Sequence, residues 1–143
     1  MRAGILRPVK YLGLNLDCSL TWKHHLKKKL EQFKVITRTI YWLLGPRSSL
    51  SFKKRGLLYK IILKPVWTYG IQLWGTTSNS NLEIFQKYKS KTLRLRTNAP
   101  WFITNKNIHR DLKISMVKDE IHNFSERYQN RISNHSNVLT INL

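Results

Sequence analysis

Apolar residues recur along the chain with a period of two near its start and of three to four afterwards, and that change divides it into elements. In VKYLGLNLD, residues 9–17, Leu12, Leu14 and Leu16 alternate with Tyr11, Gly13 and Asn15. Period two predicts a short strand, and Gly13 inside it predicts a bulge or a close backbone approach. Thr21 is expected to cap a helix running to about Leu44. On that helix Leu26, Leu30, Phe33, Ile36, Ile40 and Leu43 share one side, and Gly45 with Pro46 ends it. Ser51 is expected to cap a second helix, with Leu58, Ile61 and Ile62 on one face. Pro65 is expected to kink or break it, because proline lacks an N–H and crowds the preceding turn. VWTYGIQLWG, residues 66–75, then resumes as a shorter helix that stops near Gly75.

TTSNSN reads as a polar loop. A third long helix, from about Asn81 to Thr97, gathers Ile84, Phe85, Tyr88, Thr92 and Leu95 on one side. NAPWF interrupts the pattern, and TNKNIHRDL offers one short helix. The last helix starts after Ser115 and has the tightest apolar stripe: Val117, Ile121, Phe124, Tyr128 and Ile132. The aromatics of Leu58 to Gly75, Tyr59, Trp67, Tyr69 and Trp74, are expected in a helical core. There is no internal repeat or low-complexity tract. The expected fold class is mainly α: a helical bundle with a short β-strand or hairpin at the N-terminus. Its expected divisions are 1–20 for the strand or hairpin, 21–135 for the helices and 136–143 for a tail.

Charge changes this picture. Lys and Arg total 26 against 7 Asp and Glu, a formal net charge of +19 in 143 residues, and no acid occurs between Glu31 and Glu83. Small soluble domains usually have a net charge of about 2 to 8 in magnitude, so a polyanion would relieve considerable self-repulsion. The cations are placed on helices. Lys23, Lys27, Lys34 and Arg38 form a stripe with Glu31 inside it; Lys53, Lys60 and Lys64 share a face; Lys87, Lys91 and Arg94 lie opposite an apolar side. Solvated faces mix signs to gain i,i+4 pairs, whereas stripes of one sign are suited to phosphates and the counterions they release. Nucleic acid is therefore the expected partner. No zinc-finger spacing or heptad zipper marks a sequence-specific reader.

Other classes are poorly served. The single cysteine, Cys18, rules out an internal disulfide framework. No apolar run approaches the roughly 20 residues of a membrane span. MRAGILRPVKYLG has no long apolar segment, so no secretory signal is expected, and an intracellular location, nucleus or cytoplasm, is. Asp119 and Glu120 are adjacent on a helix and point to different sides, while Asp17 and Asp111 are isolated and read as caps or surface charges. His24 and His25 with Cys18 make no metal-ligand spacing, and His109, His122 and His135 are expected at the surface or an interface. There is no glycine-rich phosphate loop and no carboxylate pair for two-metal chemistry, so no cofactor is expected in this chain.

Four stretches, VKYLGLNLDCSLTWKHHL, LYKIILKPVWTYGIQLWG, SKTLRLRTNAPWFITN and NRISNHSNVL, follow one another in order. Together they resemble the C-terminal part of reverse transcriptases from non-LTR retrotransposons of the jockey-like group, from about Val9 to Asn137. The resemblance implies that KYLGL ends the palm near the primer terminus, and that the helices after it form a thumb holding the template–primer duplex. It places Lys10, Tyr11, Leu12 and Gly13 by the primer backbone, and Lys23, His25, Lys27, Lys34 and Arg38 on the first thumb helix. The family's aromatic-x-Asp-Asp motif, fingers, most of its palm and any endonuclease are not in these 143 residues. Contact with an RNA–DNA duplex is thus implied here, catalysis is not, and Mg2+ belongs with the missing palm. The remaining readings are a stand-alone basic helical protein that binds an acidic partner or an anionic membrane surface, and an inert decayed copy.

Overall fold

A computed structural model of the chain describes residues 7–135; the first six residues and the expected tail, 136–143, lie outside the described residues. The protein is mainly α with an N-terminal antiparallel hairpin. The alternating segment is two strands, β1 (Val9–Tyr11) and β2 (Leu14–Leu16), with Val9 opposite Leu16 and Tyr11 opposite Leu14. Leu12 and Gly13 between them have φ of 46° and 80°. Two successive positive φ values are what a two-residue type I′ hairpin turn requires. Of the strand or hairpin expected here, the hairpin is present, and the correction concerns Leu12, which leaves the alternation for an exposed turn while Leu14 is buried.

Helix α1 (Lys23–Thr39) is preceded by Trp22 in the left-handed region, with no side-chain cap of its own. Thr21 is not the cap. The Asp17 carboxylate organises this start instead, accepting the N–H groups of Thr21 at 3.2 Å and Trp22 at 3.3 Å and the Thr21 hydroxyl. Its bond from the Thr21 hydroxyl, with help from the backbone N–H groups, holds the Asp17 carboxyl below its ordinary value. The expected run to Leu44 is interrupted at Ile40, after which α2 (Tyr41–Leu44) adds one turn.

Ser51 does cap α3 (Phe52–Leu58), accepting the Lys54 N–H. Pro65 does not break the helix that follows. A π-helical turn, Tyr59–Leu63, joins α3 to α4 (Lys64–Thr68), and the Lys64 N–H reaches the Tyr59 carbonyl five residues back. Widening the turn just before the proline makes room for a ring that would crowd an α-helical turn. The chain changes direction later, at Tyr69 and at Gly70, whose φ is 68°. A Cβ on Gly70 would lie 2.6 Å from the Leu14 side chain, so the hairpin packs against this bend. Then come α5 (Ile71–Trp74), α6 (Asn79–Thr97), α7 (Asn105–Asp111) and α8 (Val117–Ser133).

Phe85 is the hub of the core. Its ring centroid is 5.6 Å from Phe33 of α1, 5.8 Å from Trp67 of α4 and 6.5 Å from Trp74 of α5. Tyr59, Trp67 and Trp74 are buried as the sequence predicts, whereas Tyr69 is 51% exposed. The inner face of α6 is turned from the expected one. Leu82, Phe85, Lys89, Thr92, Leu93 and Arg96 are buried and Ile84 is exposed. On α8, Val117 is buried, Ile121 and Phe124 pack on the core, and Tyr128 is exposed. Among the described residues no helix is long and apolar enough to cross a membrane.

Candidate nucleic-acid interface

Helix α1 separates its cations onto two flanks, because Leu26, Leu30 and Phe33 dock it on the core between them. On the first flank it faces the hairpin across an open polar groove of about 550 Å³, lined by Lys10, Gly13, Asn15, Lys28, Lys29, Glu31, Gln32 and Val35. Lys29 stands 5.5 Å from the centre of the Tyr69 ring. Burial, and then the charge of Lys10, push its ammonium below the ordinary lysine value. The hairpin is held over the groove by the Tyr69 hydroxyl, which donates to the Leu12 carbonyl at 2.6 Å. Gly13 serves that contact: the position a Cβ would occupy is 3.2 Å from the Tyr69 ring. The close approach at Gly13 is therefore made by a side chain of this chain.

On its second flank α1 runs beside α6 in the same sense. Lys23 and Lys27 border an apolar cleft of about 170 Å³ with Ile84 and Asn81 of α6, and the Lys34 ammonium lies 4.1 Å over the Tyr88 ring. Lys87 and Lys91, exposed on α6, fall at helical spacing from Ile84 and extend this flank. Arg38 is exposed near the C-terminal end of α1. Among the described residues no cation of α1 is within ion-pair distance of a carboxylate. An unpaired row of this kind retains its charge for an external anion.

The other expected contacts lie elsewhere or are engaged. His25 is corrected: it is fully buried, and its Nδ1 accepts the Asn15 N–H at 3.2 Å, tying β2 to α1. No phosphate can reach it. Lys64 pairs with the buried Glu120 of α8 at 2.7 Å, and Lys60 borders the same small cavity rather than the hairpin groove. Arg94 turns to the loop after α6, donating to Asn105 Oδ1 at 2.8 Å, to the Pro100 carbonyl at 3.2 Å and to the Ile103 carbonyl. Tyr11, exposed on β1, and Lys53, exposed at the start of α3, complete the set. The expected contacts thus do not make one continuous surface. The hairpin groove unites Lys10 and Gly13 with Lys28 and Lys29, which the helical stripe left out.

Two buried groups were not expected. Lys89 is 1% exposed; its Nζ donates to the Ser115 carbonyl and lies 4.5 Å over the Trp67 ring. Burial lowers its ammonium to about 7 against the pull of Glu120. His109, expected at the surface or an interface, is buried between Ile114, Ser90 and Gln86. Its Nδ1 is 3.0 Å from the Ile114 carbonyl, which makes that nitrogen the donor and leaves Nε2 to accept from Ser90 and Gln86. Among the described residues no three His, Cys, Asp or Glu side chains converge as a metal site requires.

The two buried imidazoles give a pH dependence with a definite sign. Burial pushes His25 from 6.5 down to about 4 and lowers His109 as well. The unfolded chain therefore binds more protons between those values, and stability present above pH 6.5 is lost as pH falls toward 4. We expect the urea midpoint to drop over that window, with His25 accounting for about 2–3 kcal/mol. His25→Gln, which cannot titrate, should remove much of the slope; an equal slope in the variant would assign the effect elsewhere.

No protein-family model and no solved structure matches the chain. Curated relatives do. Over 130 residues the chain is 41% identical to a probable RNA-directed DNA polymerase from transposon X-element of Drosophila melanogaster. It is 35% identical to the RNA-directed DNA polymerase from mobile element jockey, and 32% to a probable one from transposon BS, both of the same fly. Each match covers 91% of this chain, and the chain spans only 14% of each relative's length. The resemblance to jockey-like reverse transcriptases therefore extends over almost the whole chain.

Proposed function

We propose that the chain is a template–primer-binding part of a non-LTR reverse transcriptase: a thumb-like module that grips an RNA–DNA duplex while the rest of the polymerase performs catalysis and holds Mg2+. The observation that supports this best is the hairpin groove, where Lys10, Lys28 and Lys29 meet with only Glu31 as an acid on its walls. Bringing like charges together and partly burying one of them costs free energy, which a bound phosphate would recover. Contacts of this kind hold a strand by its backbone and read no base, so binding would tolerate sequence.

The test is a titration of the chain with a blunt RNA–DNA hybrid at several salt concentrations, beside anionic vesicles at equal ionic strength. Each neutralised phosphate gives a slope of about −0.9 in log K against log salt, so the groove lysines alone imply a slope of about −3 or steeper. A flat salt dependence, or stronger binding to vesicles than to the hybrid, would reject duplex binding and favour an acidic-surface binder.

A further inference from the structure

The loop between α6 and α7 presents two aromatic rings to solvent. Trp101 is 89% exposed and Phe102 68%, their centroids 6.0 Å apart and their planes at 83°. The two adjacent rings form one exposed apolar patch, and Trp101 is the most exposed large apolar side chain among the described residues. The loop beneath them is not loose. Arg94 ties it together through Asn105 Oδ1 and the Pro100 and Ile103 carbonyls, and the Ile103 N–H closes on the Pro100 carbonyl at 3.1 Å. Thr104 then caps α7. The backbone that carries both rings is therefore fixed before any partner arrives, which lessens the ordering left for binding.

The electrostatic setting selects the occupant. Between Glu83 and Asp111 there is no acidic residue. Lys87, Lys91 and Arg94 follow one another at i, i+4 and i+7 on α6, a row about 10 Å long that ends at this loop. A row of cations leading to solvent-facing aromatic rings has the two components of a single-strand site, one for phosphates and one for bases. Base pairs inside a duplex offer no free face to a side chain; unpaired bases do.

We infer that Trp101 and Phe102 stack unpaired bases of an RNA strand whose backbone follows Lys87 and Lys91. This deepens the duplex-binding reading and rests on it: the strand is the RNA template where it leaves the hybrid. The ring faces supply the affinity, and any base serves equally.

The experiment compares a blunt RNA–DNA hybrid with the same hybrid bearing an unpaired RNA extension, for the full chain and for Trp101→Ala/Phe102→Ala. The extension is expected to tighten binding by the unaltered chain about tenfold or more, and the double variant to lose that gain while binding the blunt hybrid as before. Trp101→Phe should keep most of the gain, since it keeps a ring face. Equal affinity for both hybrids, or equal loss on both in the variant, overturns the inference. So does a dimer in sedimentation that the substitutions dissolve, which would make the loop a contact between copies. Failure to bind the blunt hybrid, with binding of the extended one retained, would instead reject duplex gripping and leave the stacking site standing.

Discussion

Phe85→Ala is expected to cost about 3–5 kcal/mol of folding stability, the range for removing a large buried aromatic ring. The side chain is 1% exposed and meets Phe33, Trp67 and Trp74, which come from three different helices. Truncation leaves a cavity where those helices converge, and the flanking rings cannot all collapse into it. A domain of this size is usually stable by about 5–15 kcal/mol, so the variant would be marginal or unfolded at room temperature. Urea unfolding followed by circular dichroism measures the loss, and tryptophan emission reports Trp67 and Trp74 becoming wet. Tyr128→Ala on the exposed side of α8 is the comparison, with an expected change within about 1 kcal/mol. If the two substitutions cost the same, Phe85 is not the hub. The point bears on function, because Phe85 fixes α1 against α6 and α4, and α1 carries both cationic flanks.

Much of this arrangement was legible where one helix buries one apolar face. Leu26, Leu30 and Phe33 face the core as their spacing requires, and Ser51 caps α3 by its side chain. Helix α6 was misread because two of its inner residues are cations. Leu82, Phe85, Lys89, Thr92 and Arg96 keep the spacing of a buried face, but lysine and arginine are ordinarily assigned outward. Glu120 and the Ser115 carbonyl make Lys89 tolerable inside, and both come from far along the chain. The signal existed as spacing; the partners that explain it did not. Of the kink or break expected at Pro65, the break does not occur, since a π turn carries the helix past the proline with backbone alone and leaves no side-chain mark.

The hairpin groove was only half legible. Lys10 and Gly13 were singled out through the resemblance to reverse transcriptases, while Lys28 and Lys29 fell outside the stripe drawn along α1. A helical wheel ranks residues around one axis and is silent about what stands beside it. Only the docking of the hairpin, through His25 to Asn15 and Tyr69 to Leu12, makes that side of α1 one wall of a groove. For the same reason Lys64 looked free on its own helix and is paired with Glu120 in the fold.

Reversing the groove charges, Lys10→Glu with Lys28→Glu and Lys29→Glu, is expected to weaken RNA–DNA hybrid binding about 100- to 1,000-fold at 0.1 M salt. The magnitude follows from counterion release: with a slope of about −0.9 per contact, each phosphate contact adds roughly 0.9 log unit in affinity between 1 M and 0.1 M salt. Losing three contacts removes nearly three log units, together with most of the salt slope assigned to the groove. Total charge must be separated from placement, since any loss of positive charge weakens attraction to a polyanion. Lys54→Glu with Lys118→Glu and Arg131→Glu makes the same change in net charge at exposed positions away from the hairpin and outside the expected contacts. That control is expected to lose about tenfold or less. The urea midpoint of each variant separates loss of folding from loss of contact: Lys10 and Lys28 are exposed, while Lys29 is half-buried beside Tyr69, and the introduced carboxylates would repel one another and Glu31. Equal losses in the two variants would mean that the long-range field of the protein, and not this groove, holds the duplex.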